Sequence, residues 1–214
     1  MGWLGRLRHT PAHGQRPGAE ESEKPRESLP PPLERAAPGV AALFAGLSAD
    51  GSHSVLDLGP AAENHLDLYG RFSRQIRVAD LLTDPPRGPE WAAALKALPP
   101  HPRQPYDVVL AWDLLDRLWP EERPALIKRL AELTAPGARL YVIVDTSGEP
   151  TTRPLRFTLL DLDRMVQSVV GPPQPAHSPL LPAQVGRLLE PFEVERAFTL
   201  RGGLREYFAT KKDG

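Results

Sequence analysis

Phe192-Glu193-Val194-Glu195-Arg196-Ala197-Phe198-Thr199-Leu200 alternates apolar and polar side chains, Arg201-Gly202-Gly203 turns, and Leu204 to Lys211 returns. Alternation at a period of two reads as a strand with one wet face. Three residues cannot make a parallel crossover, which takes a dozen or more. The stretch is therefore an antiparallel hairpin.

Upstream of the hairpin, strand and helix patterns alternate. Ser54 to Gly59 is a short apolar run closed by glycine, Gln75 to Leu82 a second strand, Tyr106 to Asp113 a β-branched run with an acidic end, and Arg139 to Asp145 a clean central strand. Between and after them, 3–4 spacing predicts helices over Ala61–Phe72, Glu90–Leu98, Pro120–Leu133, Phe157–Val170 and Pro182–Leu189. Before them, Val40, Leu43, Phe44 and Leu47 mark a short amphipathic helix. Such alternation predicts an α/β fold, a Rossmann-like, doubly wound, mostly parallel sheet with helices on both faces, ending in the antiparallel hairpin.

A chain of 214 residues, 41% hydrophobic, suits one core. Residues 1–34 are rich in Pro, Gly, Glu and Arg and are expected to be a disordered arm. Trp3, Leu4 and Leu7 at its tip are either a short docking helix or chance hydrophobics in a frayed tail. Residues 35–212 form the expected domain. A net charge of −1 argues against a nucleic-acid partner. The absence of cysteine excludes thiol catalysis and Cys-ligated zinc, and the histidines lack ligand spacing, so no metal is expected. No apolar run reaches the ~20 residues of a membrane span. The first residues lack the apolar core of a secretory signal, so a cytoplasmic location is expected.

The order of segments resembles the class I S-adenosylmethionine-dependent methyltransferases. Val55-Leu56-Asp57-Leu58-Gly59 is similar to the family's first-strand motif, whose glycines admit the methionine part of the cofactor. Asp107-Val108-Val109-Leu110-Ala111-Trp112-Asp113-Leu114-Leu115-Asp116-Arg117-Leu118 resembles the fourth strand and its turn, and Leu133-Thr134-Ala135-Pro136-Gly137-Ala138-Arg139-Leu140 the approach to the fifth. The resemblance covers roughly residues 38–212. It implies S-adenosylmethionine as cofactor, bound at the carboxyl ends of strands one, two and four, and methyl transfer to a small molecule or protein that no motif identifies. The Phe157–Val170 helix and the Pro172–Pro182 loop would then wall the substrate pocket.

Each implied site residue has a structural alternative. Asp57 either orients the loop and cofactor or caps the next helix. Gly59 serves a ligand or the strand-to-helix turn itself, and Pro60 stands where the family has a flexible loop. Asp80, 23 positions after Asp57, stands where a Rossmann site accepts ribose hydroxyls. Trp112 flanks a ligand or covers the sheet edge. Asp113 orients a substrate nucleophile, a catalytic role, or caps a turn.

Two departures bear on activity. Gly59 is followed by Pro60-Ala61-Ala62-Glu63, where proline fixes φ and removes an N–H donor. An acidic third strand is not evident between Leu82 and Pro105. The sequence thus admits a methyltransferase or a methyltransferase-fold protein that has lost catalysis and acts as a binding or interaction module.

Overall fold

The computed structural model describes residues 29–86, 88–100, 104–175 and 177–213. The expected disordered arm falls mostly outside them, as does the docking tip. In chain order the elements are β1 (Leu33–Ala36), α1 (Pro38–Phe44), β2 (His53–Asp57), α2 (Glu63–Gly70), β3 (Ser73–Val78), α3 (Glu90–Ala97), β4 (Tyr106–Leu110), α4 (Leu114–Arg117), α5 (Arg123–Leu133), β5 (Thr134–Asp145), β6 (Thr151–Thr152), β7 (Leu155–Leu159), β8 (Arg164–Val169), β9 (Gln174–Pro175), α6 (Pro182–Leu188), β10 (Phe192–Thr199) and β11 (Leu204–Lys211).

The main sheet has six strands in the order β10-β11-β5-β4-β2-β3. Strands β3, β2, β4 and β5 run parallel. β11 is antiparallel to β5 and to β10, so the terminal hairpin forms as expected and inserts its second strand against the centre. β4 and β5 are buried on both faces, which explains their near-continuous apolar runs Val108–Leu110 and Leu140–Val144.

Crossover handedness distributes the helices. From the β2/β4 pair, the chain steps one way to β3 and the other way to β5. Right-handed connections therefore place α2 and α5 on opposite faces. α1 joins α2, with Phe44 stacked on Tyr69 at 5.8 Å. α3 joins α5, whose Arg129 donates to the carbonyls of Leu95 and Leu98. The point where strand order reverses, between β2 and β4, is where open α/β sheets build their ligand crevice.

A second sheet, β1-β8-β7, is antiparallel throughout. It corrects the expected helix over Phe157–Val170, which is instead the hairpin β7–β8. Thr158, Val166 and Val169 favour extended backbone. Asp161 to Asp163 make the turn, across which Leu160 N–H donates to the Arg164 carbonyl at 2.9 Å. Phe157, Leu159 and Met165 are all buried. Side chains spaced for a helix were thus recruited by a period of two once a partner strand was available. The helix expected from Pro120 forms as α5 but starts at Arg123, with Pro124 in its first turn, and the separate short α4 precedes it. Among the described residues between Leu82 and Pro105, only α3 forms, so the strand missing from the sequence pattern is missing from the sheet as well.

Candidate functional site

Asp57 ends β2, where the sheet turns toward α2, and its carboxylate is enclosed by donors. Oδ1 accepts the Gly59 N–H at 2.8 Å and the Trp112 indole N–H at 2.6 Å, and Oδ2 accepts the Tyr69 hydroxyl at 2.8 Å. The side chain is 1% exposed. Asp57 therefore orients the loop, and the group it orients most directly is the protein's own tryptophan. Tyr69 is held well above the usual phenol range, first by burial and then by the Asp57 charge, so it stays a donor.

Trp112 lies just past β4 with φ of 49°, a left-handed conformation that costs a non-glycine residue roughly 1–2 kcal/mol. Surroundings that over-determine it hold it there. Its ring is stacked between His65 (5.3 Å, 20°) and Phe157 (6.2 Å, 7°) and meets Tyr141 edge-on at 5.5 Å. His65 in turn accepts the Leu159 N–H through Nε2 at 2.9 Å, which ties the β7–β8 hairpin to this stack.

Gly59 is required by the same contact. A Cβ there would stand 2.7 Å from the indole nitrogen of Trp112. The close approach that a glycine permits beside a ligand is here occupied by an indole. Pro60 borders what remains open, a cleft of about 120 Å³ shared with Leu82, Thr83, Trp112 and Phe157. Small-molecule sites usually run to ~300–1,000 Å³. Asp80 lies in the turn after β3, where Oδ1 caps the Leu82 and Thr83 N–H groups at 2.9 and 3.0 Å.

Asp113 faces a different space. With Asp116, Asp145, Arg117, Leu155 and His177 it lines a cleft of about 100 Å³ at the carboxyl ends of β4 and β5. Asp113 Oδ2 pairs with Arg117 at 2.9 Å, while Oδ1 is buried and receives no hydrogen bond. Burial outweighs Arg117 and holds this carboxyl above its ordinary range. Arg117 also donates to the carbonyls of Leu82 and Leu155, stapling the β3 turn and β7 together. Arg123 donates to the carbonyls of Leu115, His177 and Ser178, which fixes the 177–178 loop over the cleft.

The structure thus separates the residues that the sequence grouped. Asp57, Gly59 and Trp112 form one closed cluster, Pro60 and Trp112 border a narrow cleft, and Asp113 belongs to a second cleft. Asp116 and Asp145 were missed there. The Asp113-x-x-Asp116 spacing at the start of α4 was the available signal for the first.

Asp116 Oδ2 accepts the Asp145 N–H at 2.8 Å. Its carboxyl is held well above the ordinary range, chiefly by burial, with the Asp113 and Asp145 charges adding to the effect. The residue is half-buried and lines the cleft.

A raised folded-state pKa means that the native state binds more protons than the unfolded chain. Stability conferred by protonated Asp116 is complete below the ordinary carboxylate pKa of ~3.9 and declines as pH rises through the raised value. Asp116→Asn keeps an acceptor for the Asp145 N–H and removes this titration. Its stability relative to the wild type is expected to improve as pH rises from 4 to 8, as read by urea unfolding. A constant difference would mean that Asp116 titrates normally.

Neither a protein-family model nor a curated protein matches this sequence. Solved structures do. The Burkholderia thailandensis 1,6-didemethyltoxoflavin-N1-methyltransferase, with bound 1,6-didemethyltoxoflavin and S-adenosylhomocysteine, is 19% identical. The match covers 82% of this chain and 77% of that one, with a TM-score of 0.53. The glycopeptide N-methyltransferase MtfA with S-adenosylhomocysteine is 17% identical over 81% and 89% of the two chains (TM-score 0.47). The N-methyltransferase NodS of Bradyrhizobium japonicum WM9 is 12% identical over 81% and 94% (TM-score 0.48). MtfA has also been solved with S-adenosylmethionine. The likeness to the first establishes a methyltransferase-type Rossmann-like fold.

Proposed function

We propose that this chain is a methyltransferase-fold binding protein in which the place of the cofactor is taken by its own aromatic side chains, and that ligands enter beside β4 and β5. The observation that carries this reading is Trp112, hydrogen-bonded to Asp57, stacked between His65 and Phe157 and seated against Gly59. S-adenosylmethionine is the cofactor that the fold implies, and the cleft left open beside Trp112, about 120 Å³, is smaller than the ~300–1,000 Å³ usual for a small-molecule site. Site roles follow accordingly. Asp57, Gly59 and Trp112 close the crevice, Asp80 caps a turn, and Asp113 contacts the ligand.

The second reading is an S-adenosylmethionine-dependent methyltransferase, with Asp57, Gly59, Pro60, Asp80 and Trp112 around the cofactor and Asp113 positioning the acceptor. The cleft bordered by Pro60, Leu82 and Thr83 favours it, since it opens beside the Asp80 turn where a ribose would bind.

Calorimetric titration with S-adenosylmethionine and S-adenosylhomocysteine separates the two. A ligand that binds the native state raises Tm by mass action, through a stabilisation of about 2.7 kcal/mol at a hundredfold excess over Kd. The wild type is expected to give neither saturable heat nor a Tm shift. Saturable binding weakened by Asp80→Ala would establish the second reading.

A further inference from the structure

We propose that the Asp113–Asp116–Asp145 cleft binds a small organic cation, a protonated primary amine on a short aliphatic stem. The inference rests on the reading of this cleft as the ligand site and is independent of whether S-adenosylmethionine binds. Three carboxyl groups face one space of about 100 Å³. A satellite space of about 20 Å³ continues from it past Asp116, Asp145, Thr152 and His177.

A cluster of acids alone would be a solvated surface. Here Asp113 is only 5% exposed, and its Oδ1 has no donor. A buried carboxylate oxygen without a partner costs free energy that an N–H donor from a ligand would recover.

The cations of the cleft do not supply that donor. Arg117 directs Nε and Nη2 to Asp113 Oδ2, and its remaining bonds go to the carbonyls of Leu82 and Leu155. The Arg123 bonds go to the carbonyls of Leu115, His177 and Ser178. Arg153 and His177 stand at the wall. An ammonium entering between the acids would offer three N–H donors with no competing acceptor of its own.

The opposite wall sets the rest of the ligand. Pro154, Leu155, Pro175 and Leu204 present apolar surface, suited to a few methylene groups and not to a second charge. The volume admits a stem of a few heavy atoms. Among the described residues, no three His, Cys, Asp or Glu side chains converge as metal ligands, which favours an organic ammonium over a divalent ion.

Binding would also shift protons. The Asp113 and Asp116 carboxyls are held above their ordinary range mainly by burial, with neighbouring charges from Asp145, Arg117 and Arg123 acting on one or the other. A bound cation favours their ionised forms. Protons are therefore released when it enters.

The test is a titration of isotope-labelled full-length chain with n-propylammonium chloride, with sodium chloride at matched ionic strength, tetramethylammonium chloride and sodium propionate as controls. Saturable amide shifts are expected at Asp116, Asp145 and Leu155 with propylammonium alone. Calorimetry in two buffers of different ionisation enthalpy should show proton release. Asp113→Asn and Asp145→Asn should each weaken binding by roughly tenfold, the effect of about 1.4 kcal/mol, while Glu193→Gln on β10 leaves it unchanged. Shifts that follow sodium equally, or that never saturate, would overturn the proposal. So would saturable binding indifferent to both Asp variants. If a variant fails to fold, the wild-type titration still decides. A wild type that binds both S-adenosylmethionine and propylammonium would refute the closed-crevice reading and leave this one standing.

Discussion

Asp57→Ala is expected to cost on the order of 4 kcal/mol or more. The substitution leaves the Gly59 N–H, the Trp112 indole N–H and the Tyr69 hydroxyl without an acceptor in a site closed to water. Each buried donor left unpaired costs about 1–3 kcal/mol, against total stabilities of ~5–15 kcal/mol. The loss should appear as a large fall in the urea midpoint with little change in slope. Asp57→Asn should fall between, since one amide oxygen can still accept but the other position becomes a donor facing donors. A change below about 1 kcal/mol for the alanine variant would show that the cluster is not held as described.

The second large effect concerns Trp112 and inverts a common order. Removing a buried tryptophan costs roughly 3–5 kcal/mol, and Trp112→Ala should fall in that range, because it loses both ring stacks and the bond to Asp57. Alanine usually outperforms glycine in the folded chain. At φ of 49° the preference reverses, because glycine takes that conformation without penalty. Trp112→Gly is expected to be the more stable of the two by about 1 kcal/mol. It also enlarges the cleft beside Pro60, so S-adenosylhomocysteine binding that is absent from the wild type and present in the glycine variant would locate the blocked crevice. Equal stability of the two variants would mean that the left-handed turn relaxes.

What could be read from the residues was the part governed by period and by turn length. The Val55–Asp57, Val108–Leu110 and Leu140–Val144 runs sit in strands buried on both sides, and the Arg201-Gly202-Gly203 turn left no topology but a hairpin. The β7–β8 hairpin was not legible. Phe157, Leu159, Leu162 and Met165 fit a helical stripe as well as a strand, and the choice was made by β1, a segment distant in sequence that offers a pairing edge. At the site, the Val55–Gly59 run was legible as a strand closed by a glycine turn, and the Gly59 N–H bonds back to Asp57 Oδ1. The sequence could not say that the indole of Trp112, 55 positions away, is what the carboxylate holds. That Asp116 and Asp145 belong to one cleft was not legible, because it is a juxtaposition made only when α4 meets the end of β5.

The insertion of β11 between β10 and β5 constrains how the molecule comes into being. A ribosome releases β5 long before β11, so the edge of β5 that β11 will cover stays bare while about sixty further residues are made. The parallel half can assemble early, but the sheet is zipped shut only after residue 211 clears the exit tunnel, and until then a long apolar edge is available to the wrong neighbour. Chains stalled or clipped within the last strand should therefore be lost to association with one another, and not merely weakened.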